Sequence, residues 1–172
     1  MSEAQPVARV LIGSVTQGRS RTLEEMSKAV GDAVKGAGLT LVRSVVVNPE
    51  AQVIRELVSR VSNDNEADAI ILLGGCGFGP QDHVSEAVES VVERRIEGFG
   101  EAVRAVLREE EDFRTHAWLM RATAGVYNQS LVFAMTGRLK DVKRVVDTVL
   151  LPTMADAVQL ATGKIRARQL RA

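Results

Sequence analysis

The feature that most limits how this chain can fold is the abrupt end of a buried strand in a glycine-rich loop. Ala69 to Leu73 is an unbroken aliphatic run, typical of a strand covered on both faces of a parallel sheet. Four of the next six residues are glycine. Glycine has no Cβ, so it reaches positive φ angles and brings backbone N–H groups close to an anion. The loop therefore predicts a phosphate or oxyanion site, and the alternative is a tight turn before a helix.

This loop supplies the main candidate site residues. Gly74, Gly75 and Gly77 are expected to present backbone amides. Cys76 is interpreted either as a small apolar residue or as a reactive thiol, although no His is placed in the sequence to activate it. Asp82 closes the loop, either as the N-cap of the following helix or as a carboxylate directed into the same cavity.

The first half of the chain alternates strands with helices. Strands are predicted at 7–15, 39–47 and 69–73, and an amphipathic helix follows each of the first two. Thr22 and Glu25 have the spacing of a capping box at the start of the first helix. Short links between such elements indicate a parallel sheet with helices on both faces. Ligands of these sheets bind beyond the carboxyl ends of the strands, where Ser14 and Arg19 also fall.

The second half predicts a mixed sheet within the same domain. Helices are expected from His83 to about Val92, from Glu101 to Glu110 and, as one long helix, from Lys140 to Ala161. Strands at 121–126 and 130–135 are separated only by a short turn, so one of them should run antiparallel. We therefore expect one α/β domain over residues 1–172, with a mostly parallel mixed sheet between helical layers. The basic tail, 164–171, is expected to fray.

Charge and composition exclude several classes of function. Basic and acidic residues number 22 each, so we expect no general attraction to nucleic acid or to an anionic membrane. Aromatic residues make up 3% of the chain, too few for a base-stacking surface. No apolar run reaches the roughly 20 residues of a membrane span, and residues 1–8 lack the plan of a signal peptide. The expected location is the cytoplasm.

Four segments, taken in order, resemble the MoaB/Mog family of molybdopterin-binding domains. Gly74 to Gly77 with Asp82 resembles the family's Gly-Gly-Thr-Gly…Asp loop, and Arg94 to Glu101 resembles its Arg-Glu-(Ile/Val)-(Pro/Glu)-Gly-Phe-Gly-Glu segment. Arg121 to Gly125 resembles its Ser-Arg-Ala-x-Ala-Gly strand, and Ser130 to Gly137 resembles its Thr-Leu-Ile-Phe-Ala-Met-Pro-Gly strand. The resemblance runs from about residue 8 to about residue 160. Each motif is weak alone, and the ordered set of four is specific.

The resemblance implies a three-layer α/β fold, a homotrimer and a molybdopterin ligand. In active family members it implies AMP transfer from ATP to molybdopterin, with Mg²⁺ as the cofactor that accompanies ATP. The amides of Gly75, Cys76 and Gly77 would hold phosphate, and Asp82 would orient Mg²⁺ or contact the pterin. Apolar positions near a charged run in the 101–110 helix are expected to serve a subunit contact; they are Val103, Val106 and Leu107.

The same resemblance adds further site residues and one alternative function. Ser14, Arg19, Gly74 and Gly137 are the remaining binding candidates, although Arg19 is equally interpreted as a surface arginine. Active members carry an acid after the second strand, where Glu50 is the candidate catalytic residue. Glu50 is alternatively an acid favoured by the helix dipole. The chain is therefore either a molybdopterin adenylyltransferase or a non-catalytic protein of the same fold that binds molybdopterin or serves oligomeric interactions.

Overall fold

The computed structural model describes residues 8–111 and 114–170. Within these ranges, strands β1 to β6 cover Arg9–Val15, Thr40–Val47, Ala69–Leu73, Arg94–Arg95, Thr123–Tyr127 and Ser130–Met135. Helices α1 to α6 cover Arg21–Gly36, Ala51–Asn63, Val84–Val91, Glu97–Arg108, Leu139–Val145 and Leu151–Ala161. Residue 7 of the first predicted strand and residue 171 of the predicted tail lie outside the described ranges.

The strands form one mixed sheet in the order β2-β1-β3-β6-β5-β4. Strands β2, β1, β3 and β6 are parallel, whereas β5 runs antiparallel to β6 and β4 runs antiparallel to β5. Helices α1, α4, α5 and α6 pack on one face of the sheet, and α2 and α3 pack on the other. The predicted three-layer α/β class is confirmed. No helix in the described part of the chain is long and apolar enough to cross a membrane.

The aliphatic runs fold as buried strands because the sheet is covered on both faces. All five residues of β3 are buried. Ile71 packs in the core beneath α1 and α4, while Ile70 and Leu72 pack in the core beneath α2 and α3. Removing large side chains from water on both faces is the main stabilising contribution at such a strand.

Helix α4 begins at Glu97, four residues earlier than its sequence predicts. Tertiary packing overrides the low helix propensity of the glycines here. A Cβ on Gly100 would lie 2.8 Å from the carbonyl oxygen of Ala122, so only glycine lets α4 approach β5 this closely. The preceding residue, Phe99, is buried with its ring centroid 5.2 Å from that of Phe133.

The apolar positions expected at a subunit contact instead fill the interior of the monomer. Val103 and Leu107 are each 2% exposed, and Val106 is partly buried against the same core. These side chains do not form an exposed apolar face. The homotrimer therefore stays a prediction that rests on the family resemblance alone.

Two helix boundaries also differ from prediction for local reasons. Helix α1 is capped by Ser20, whose Oγ accepts a hydrogen bond from the N–H of Leu23 at 3.4 Å, so the capping box predicted from Thr22 is wrong. The predicted long helix is divided into α5 and α6 by a π-helical turn, Val146–Leu150. Pro152 follows this turn in the first turn of α6 and has no N–H to continue a regular ladder.

The carboxyl-terminal segment carries local structure, and its fraying stays a prediction. The tail predicted to fray contains a short 3-10 helix at Ala167–Gln169. The N–H of Arg166 donates to the side chain of Gln169 at 2.9 Å, which gives this segment a local hydrogen bond.

Candidate functional site

The loops that follow the parallel strands lie side by side, as predicted. Ser14 near the end of β1 pairs in register with Leu73 of β3 on one side and with Val46 of β2 on the other. The N–H of Gly74 donates to the carbonyl of Met135 at the end of β6, at 2.9 Å. The loops after β2, β1, β3 and β6 therefore line one edge of the sheet in that order, and β5 begins at the same edge.

Asp82 closes the glycine loop from within. Its Oδ2 accepts a hydrogen bond from the N–H of Gly79 at 2.9 Å, and its own N–H donates to the carbonyl of Gly79 at 3.0 Å. Helix α3 begins at Val84 after His83, and no side chain caps it. The N-cap interpretation of Asp82 is wrong. Its carboxylate is instead turned into the loop, and a role toward a ligand stays a prediction.

Each glycine of the loop makes room for packing within the protein. Gly75 has a φ of 68°, and a Cβ there would overlap the side chain of Val84 at the start of α3. A Cβ on Gly77 would lie 2.5 Å from Asp82 Oδ2. Gly74 faces the backbone of Val15, whose carbonyl oxygen would be 2.9 Å from an added Cβ. The glycines are therefore required for loop closure, whatever ligand the loop binds.

The loop nevertheless keeps amides available for a ligand. Among the hydrogen bonds of the described residues, none uses the N–H of Gly75, Cys76, Gly77 or Phe78. The side chain of Phe78 is exposed, so the middle of the loop lies at the protein surface. Successive unpaired N–H groups after a glycine with positive φ can form a concave anion site. Of the predicted phosphate-binding amides, those of Gly75 and Gly77 are unused and belong to partly exposed residues, whereas Cys76 is fully buried and its amide is closed to a ligand.

Cys76 fits the apolar interpretation better than the reactive one. It is fully buried, and its Sγ lies 3.6 Å from the carbonyl oxygen of Gly74. Burial raises the pKa of the Cys76 thiol to about 12, so the thiol is protonated at neutral pH.

Arg121 organises this loop, and its role was missed in the sequence. Its Nε donates to the carbonyl of Gly77 at 2.7 Å, and its Nη2 donates to the carbonyl of Asp82 at 3.1 Å. Its backbone N–H donates to the carbonyl of Cys76 at 3.3 Å. The only available signal was a positive charge immediately before an apolar strand, within a motif quoted for resemblance alone.

Glu86 in the first turn of α3 holds the guanidinium of Arg121. Nη1 pairs with Oε1 of Glu86, and Nη2 lies 3.1 Å from Oε2. The hydrogen bond from Arg121 is the main cause that lowers the pKa of Glu86, and the same bond raises the pKa of Arg121. This two-point contact fixes the plane of the guanidinium.

Ser14 and Arg19 lie around a neighbouring cavity. It has a volume of about 340 Å³ and lies between the start of α1 and the end of β2. Ser14 is buried, whereas the Arg19 side chain is 91% exposed and pairs with Glu24 at 3.2 Å. The structure therefore brings the two predicted residues to one cavity, with Arg19 at its solvent side.

Glu50 lies farther along the edge. It is exposed at the N-terminus of α2, caps no backbone group with its side chain, and donates its N–H to Asn48 Oδ1 at 3.2 Å. Strand β1 separates β2 from β3, which corresponds to roughly 10 Å between the strands that lead to Glu50 and to the glycine loop. The structure does not bring Glu50 into contact with Asp82.

Gly137 occupies the last loop of this edge. Its φ of 151° is one that residues other than glycine rarely adopt. Arg138, the next residue, contacts the buried carboxylate of Asp141, with its Nε 2.6 Å from Oδ2. The loop is therefore anchored to the start of α5 by an ion pair.

The acidic residues of this edge do not form a cluster of metal ligands. Across residues 8–111 and 114–170, no three His, Cys, Asp or Glu side chains come together as a metal site. A Mg²⁺ ion that accompanies a nucleotide takes only one or two protein carboxylates, together with phosphate oxygens and water. The carboxylate of Asp82, beside the unused amides, fits that kind of site.

Comparisons with known proteins agree with this architecture. Residues 10–156 match the family model described as "Probable molybdopterin binding domain". A Staphylococcus aureus molybdenum cofactor biosynthesis protein B is 32% identical over 140 residues, which are 81% of this chain and 79% of that protein. A Bacillus subtilis protein of the same name is 28% identical over 157 residues, covering 91% of this chain and 92% of that protein.

Solved structures share the fold over nearly the whole chain. A crystal structure of a molybdenum cofactor biosynthesis protein B superposes with a TM-score of 0.86 at 24% identity, covering 94% of this chain and 99% of that one. A molybdopterin biosynthesis protein from Mycobacterium abscessus superposes with a TM-score of 0.78 at 25% identity, covering 93% of this chain and 100% of that one.

Proposed function

We propose, starting from the fact that this chain belongs to the family of probable molybdopterin binding domains, that it binds molybdopterin and acts in molybdenum cofactor biosynthesis. The observation that carries the proposal is the set of unused amides at Gly75, Gly77 and Phe78, held beside the Asp82 carboxylate. Backbone N–H groups in this arrangement bind the phosphate of such a ligand without requiring a basic side chain at the loop.

The activity we propose is transfer of AMP from ATP to molybdopterin. A phosphate oxygen of molybdopterin attacks the α-phosphorus of ATP, and the bond from that phosphorus to the departing pyrophosphate breaks. Such a transfer requires positioning and charge neutralisation more than a covalent nucleophile. The Asp82 carboxylate would hold Mg²⁺, which, when bound, neutralises phosphate charge. The loop amides would hold the molybdopterin phosphate, and Ser14, Arg19 and Gly137 would line the surrounding edge.

A non-catalytic role in molybdopterin binding is the second candidate, and the position of Glu50 favours it. This acid is exposed and lies two strands from the glycine loop. It acts in catalysis only if the bound nucleotide spans that distance along the edge. If the wild type transfers AMP, the substitution Glu50→Gln tests the role of Glu50: an enzyme that uses this acid should lose at least about tenfold in rate, or roughly 1.4 kcal/mol of transition-state stabilisation. An unchanged rate would keep the enzyme and remove Glu50 from its site.

Calorimetric titration with molybdopterin, followed by an assay of radiolabelled AMP transfer with Mg²⁺, tests both steps. We expect Asp82→Asn to keep the volume of the side chain and nearly abolish transfer, because the amide lacks the charge that would hold Mg²⁺. Asp32→Asn is the matched control, since Asp32 is exposed on α1 away from the site edge. Binding without transfer in the wild type supports the second candidate, and absence of binding contradicts both.

The assembly state that we propose is a homotrimer, as the family resemblance implies. Light scattering at micromolar concentration should give a mass three times the 18.6 kDa of the chain. A constant monomer mass across the concentration range would contradict this assembly without affecting the binding proposal.

A further inference from the structure

We infer that Arg121 is a positioning residue that turns the backbone amides of the glycine loop toward the ligand. The inference rests on the proposed function, because it explains how the anion site is set up rather than what binds there. Arg121 lies 44 residues from Gly77 and 39 residues from Asp82 in sequence, yet it contacts both ends of this part of the loop.

The geometry of the peptide group links the direction of each carbonyl to that of the N–H that follows it. In a trans peptide, the C=O of one residue and the N–H of the next point in opposite directions. The described residues contain no cis peptide bond. The carbonyls of Cys76 and Gly77 both accept hydrogen bonds from Arg121, so the N–H groups of Gly77 and Phe78 must point away from it.

Arg121 orients a further peptide group, between Asp82 and His83, at the far end of the loop. The carbonyl of Asp82 accepts a hydrogen bond from Arg121, which turns the N–H of His83 away from the guanidinium. The three amides that this geometry turns outward are those of Gly77, Phe78 and His83, and no hydrogen bond among the described residues uses them. The side chain of Arg121 therefore sets the direction of two of these N–H groups, those of Phe78 and His83, and its backbone N–H sets that of Gly77.

Arg121 performs this task from behind the loop and does not act as a ligand of the anion. Its guanidinium is occupied by two backbone carbonyls and by both carboxylate oxygens of Glu86. Glu86 neutralises its charge and fixes its plane. A lysine presents a point charge with no planar fork, so it cannot satisfy the carbonyls and the carboxylate in the same way.

The first test needs no ligand and measures the hydrogen bonds directly. In NMR spectra of the wild type, we expect a through-bond coupling between Arg121 Nε and the carbonyl carbon of Gly77. In Arg121→Lys that coupling is lost, and the amide resonances of Phe78 and His83 should shift, because their preceding carbonyls lose the guanidinium. Unchanged amide resonances in Arg121→Lys would show that the arginine does not set the loop orientation, whatever the protein binds.

The second test measures binding of inorganic phosphate through the amide shifts of Gly77 and Phe78. We expect at least a tenfold weaker affinity in Arg121→Gln, a smaller loss in Arg121→Lys and Glu86→Gln, and no change in Arg108→Gln. Arg108 is a suitable control because it is exposed at the end of α4. Urea unfolding of each variant separates loss of binding from loss of fold, and Arg121→Lys decides the outcome where Arg121→Gln fails to fold.

The two proposals fail in different ways. If the loop amides of the wild type do not respond to phosphate, the proposed anion site is contradicted. The ligand-free NMR measurement still tests whether Arg121 orients the loop. A wild type that binds phosphate, together with a folded Arg121→Gln variant that binds it equally well, overturns the positioning role alone. Recovery of binding by Arg121→Ala on addition of millimolar guanidinium ion supports that role, since a general loss of stability is not repaired by a guanidinium ion.

Discussion

The glycine loop and the loop after β1 lie next to each other at the sheet edge, yet they are held in different ways. The glycine loop is closed by Asp82, tied down by Arg121 and packed against Val84. In the loop after β1, which is the first loop of the edge, a Cβ added to Gly18 would meet no atom within 4 Å, and the Arg19 side chain extends into solvent. One loop has its shape before any ligand arrives, whereas the other has few contacts that fix it.

This difference indicates a division of tasks within the proposed site. A preorganised group binds with little loss of conformational entropy, so the rigid loop suits the phosphate, whose shape is constant. A loosely held loop can adapt around a larger and more variable part of the ligand, at the cost of ordering its side chains. The following predictions test this comparison by changing matched features of the two loops.

The largest effect is expected from valine at Gly75 and Gly18, one glycine with positive φ from each loop. Gly75→Val combines an unfavourable φ of 68° with overlap against Val84, and it should lower the free energy of unfolding by at least about 3 kcal/mol. Gly18→Val has a similar φ of 77° but open space, so it should cost only about 1–2 kcal/mol. Urea unfolding measures both, and equal losses would remove the packing difference on which the comparison rests.

A smaller effect is expected from acid, and only at the glycine loop. Arg121 lowers the pKa of Glu86 below its ordinary value of 4.5. Because a lowered carboxyl pKa stabilises the folded state above the ordinary pKa, the contribution of the pair is full above about pH 4.5 and is lost as the pH falls through the lowered pKa. The amide resonances of Gly77 should move over that range in the wild type.

The matched control for this acid effect is Glu86→Gln, which removes the titrating group. Its Gly77 resonances should show a smaller transition below pH 4.5, the ordinary pKa of the Glu86 carboxyl group, than those of the wild type. The fluorescence of Trp118, the single tryptophan and an exposed one, gives a second probe near Arg121. An identical transition in the variant would assign the change to some other group.

The smallest effect is expected from Arg19→Gln in the first loop. The ion pair of Arg19 with Glu24 is exposed, and pairs of this kind contribute about 0–1 kcal/mol. We expect a change in unfolding free energy within about 0.5 kcal/mol and a change in phosphate affinity below about threefold. A loss of affinity as large as that of Arg121→Gln would show that the first loop also belongs to the phosphate site.

The fold was predictable because its strongest signals are local. Aliphatic runs such as Ile70 to Leu73 identified the buried strands, and the short link before Ser130 identified the antiparallel pair. The start of α4 was missed because it depends on the approach of Gly100 to Ala122, a contact between segments that are distant in sequence. Helix propensity alone gives the wrong answer at such a position.

The candidate site was predictable in place but only partly in construction. The alternation of strands and helices placed Ser14 and Gly74 at one edge, and the family resemblance added Gly137; the observed sheet has all three at that edge. The glycines were interpreted as openings for a ligand, whereas the structure also requires them for contacts with Val84 and Asp82. The structure assigns loop closure to Asp82 and Arg121, and a pairing across 39 residues leaves no periodic or spacing signal in the sequence.

The burial of Cys76 has a consequence for the sulfur chemistry of this protein. With its pKa at about 12, only about one thiol in ten thousand is ionised at pH 8. Disulfide exchange and alkylation proceed through the thiolate, so oxidised small thiols should leave Cys76 unmodified while the protein is folded. The native protein therefore needs no reducing agent to protect this position.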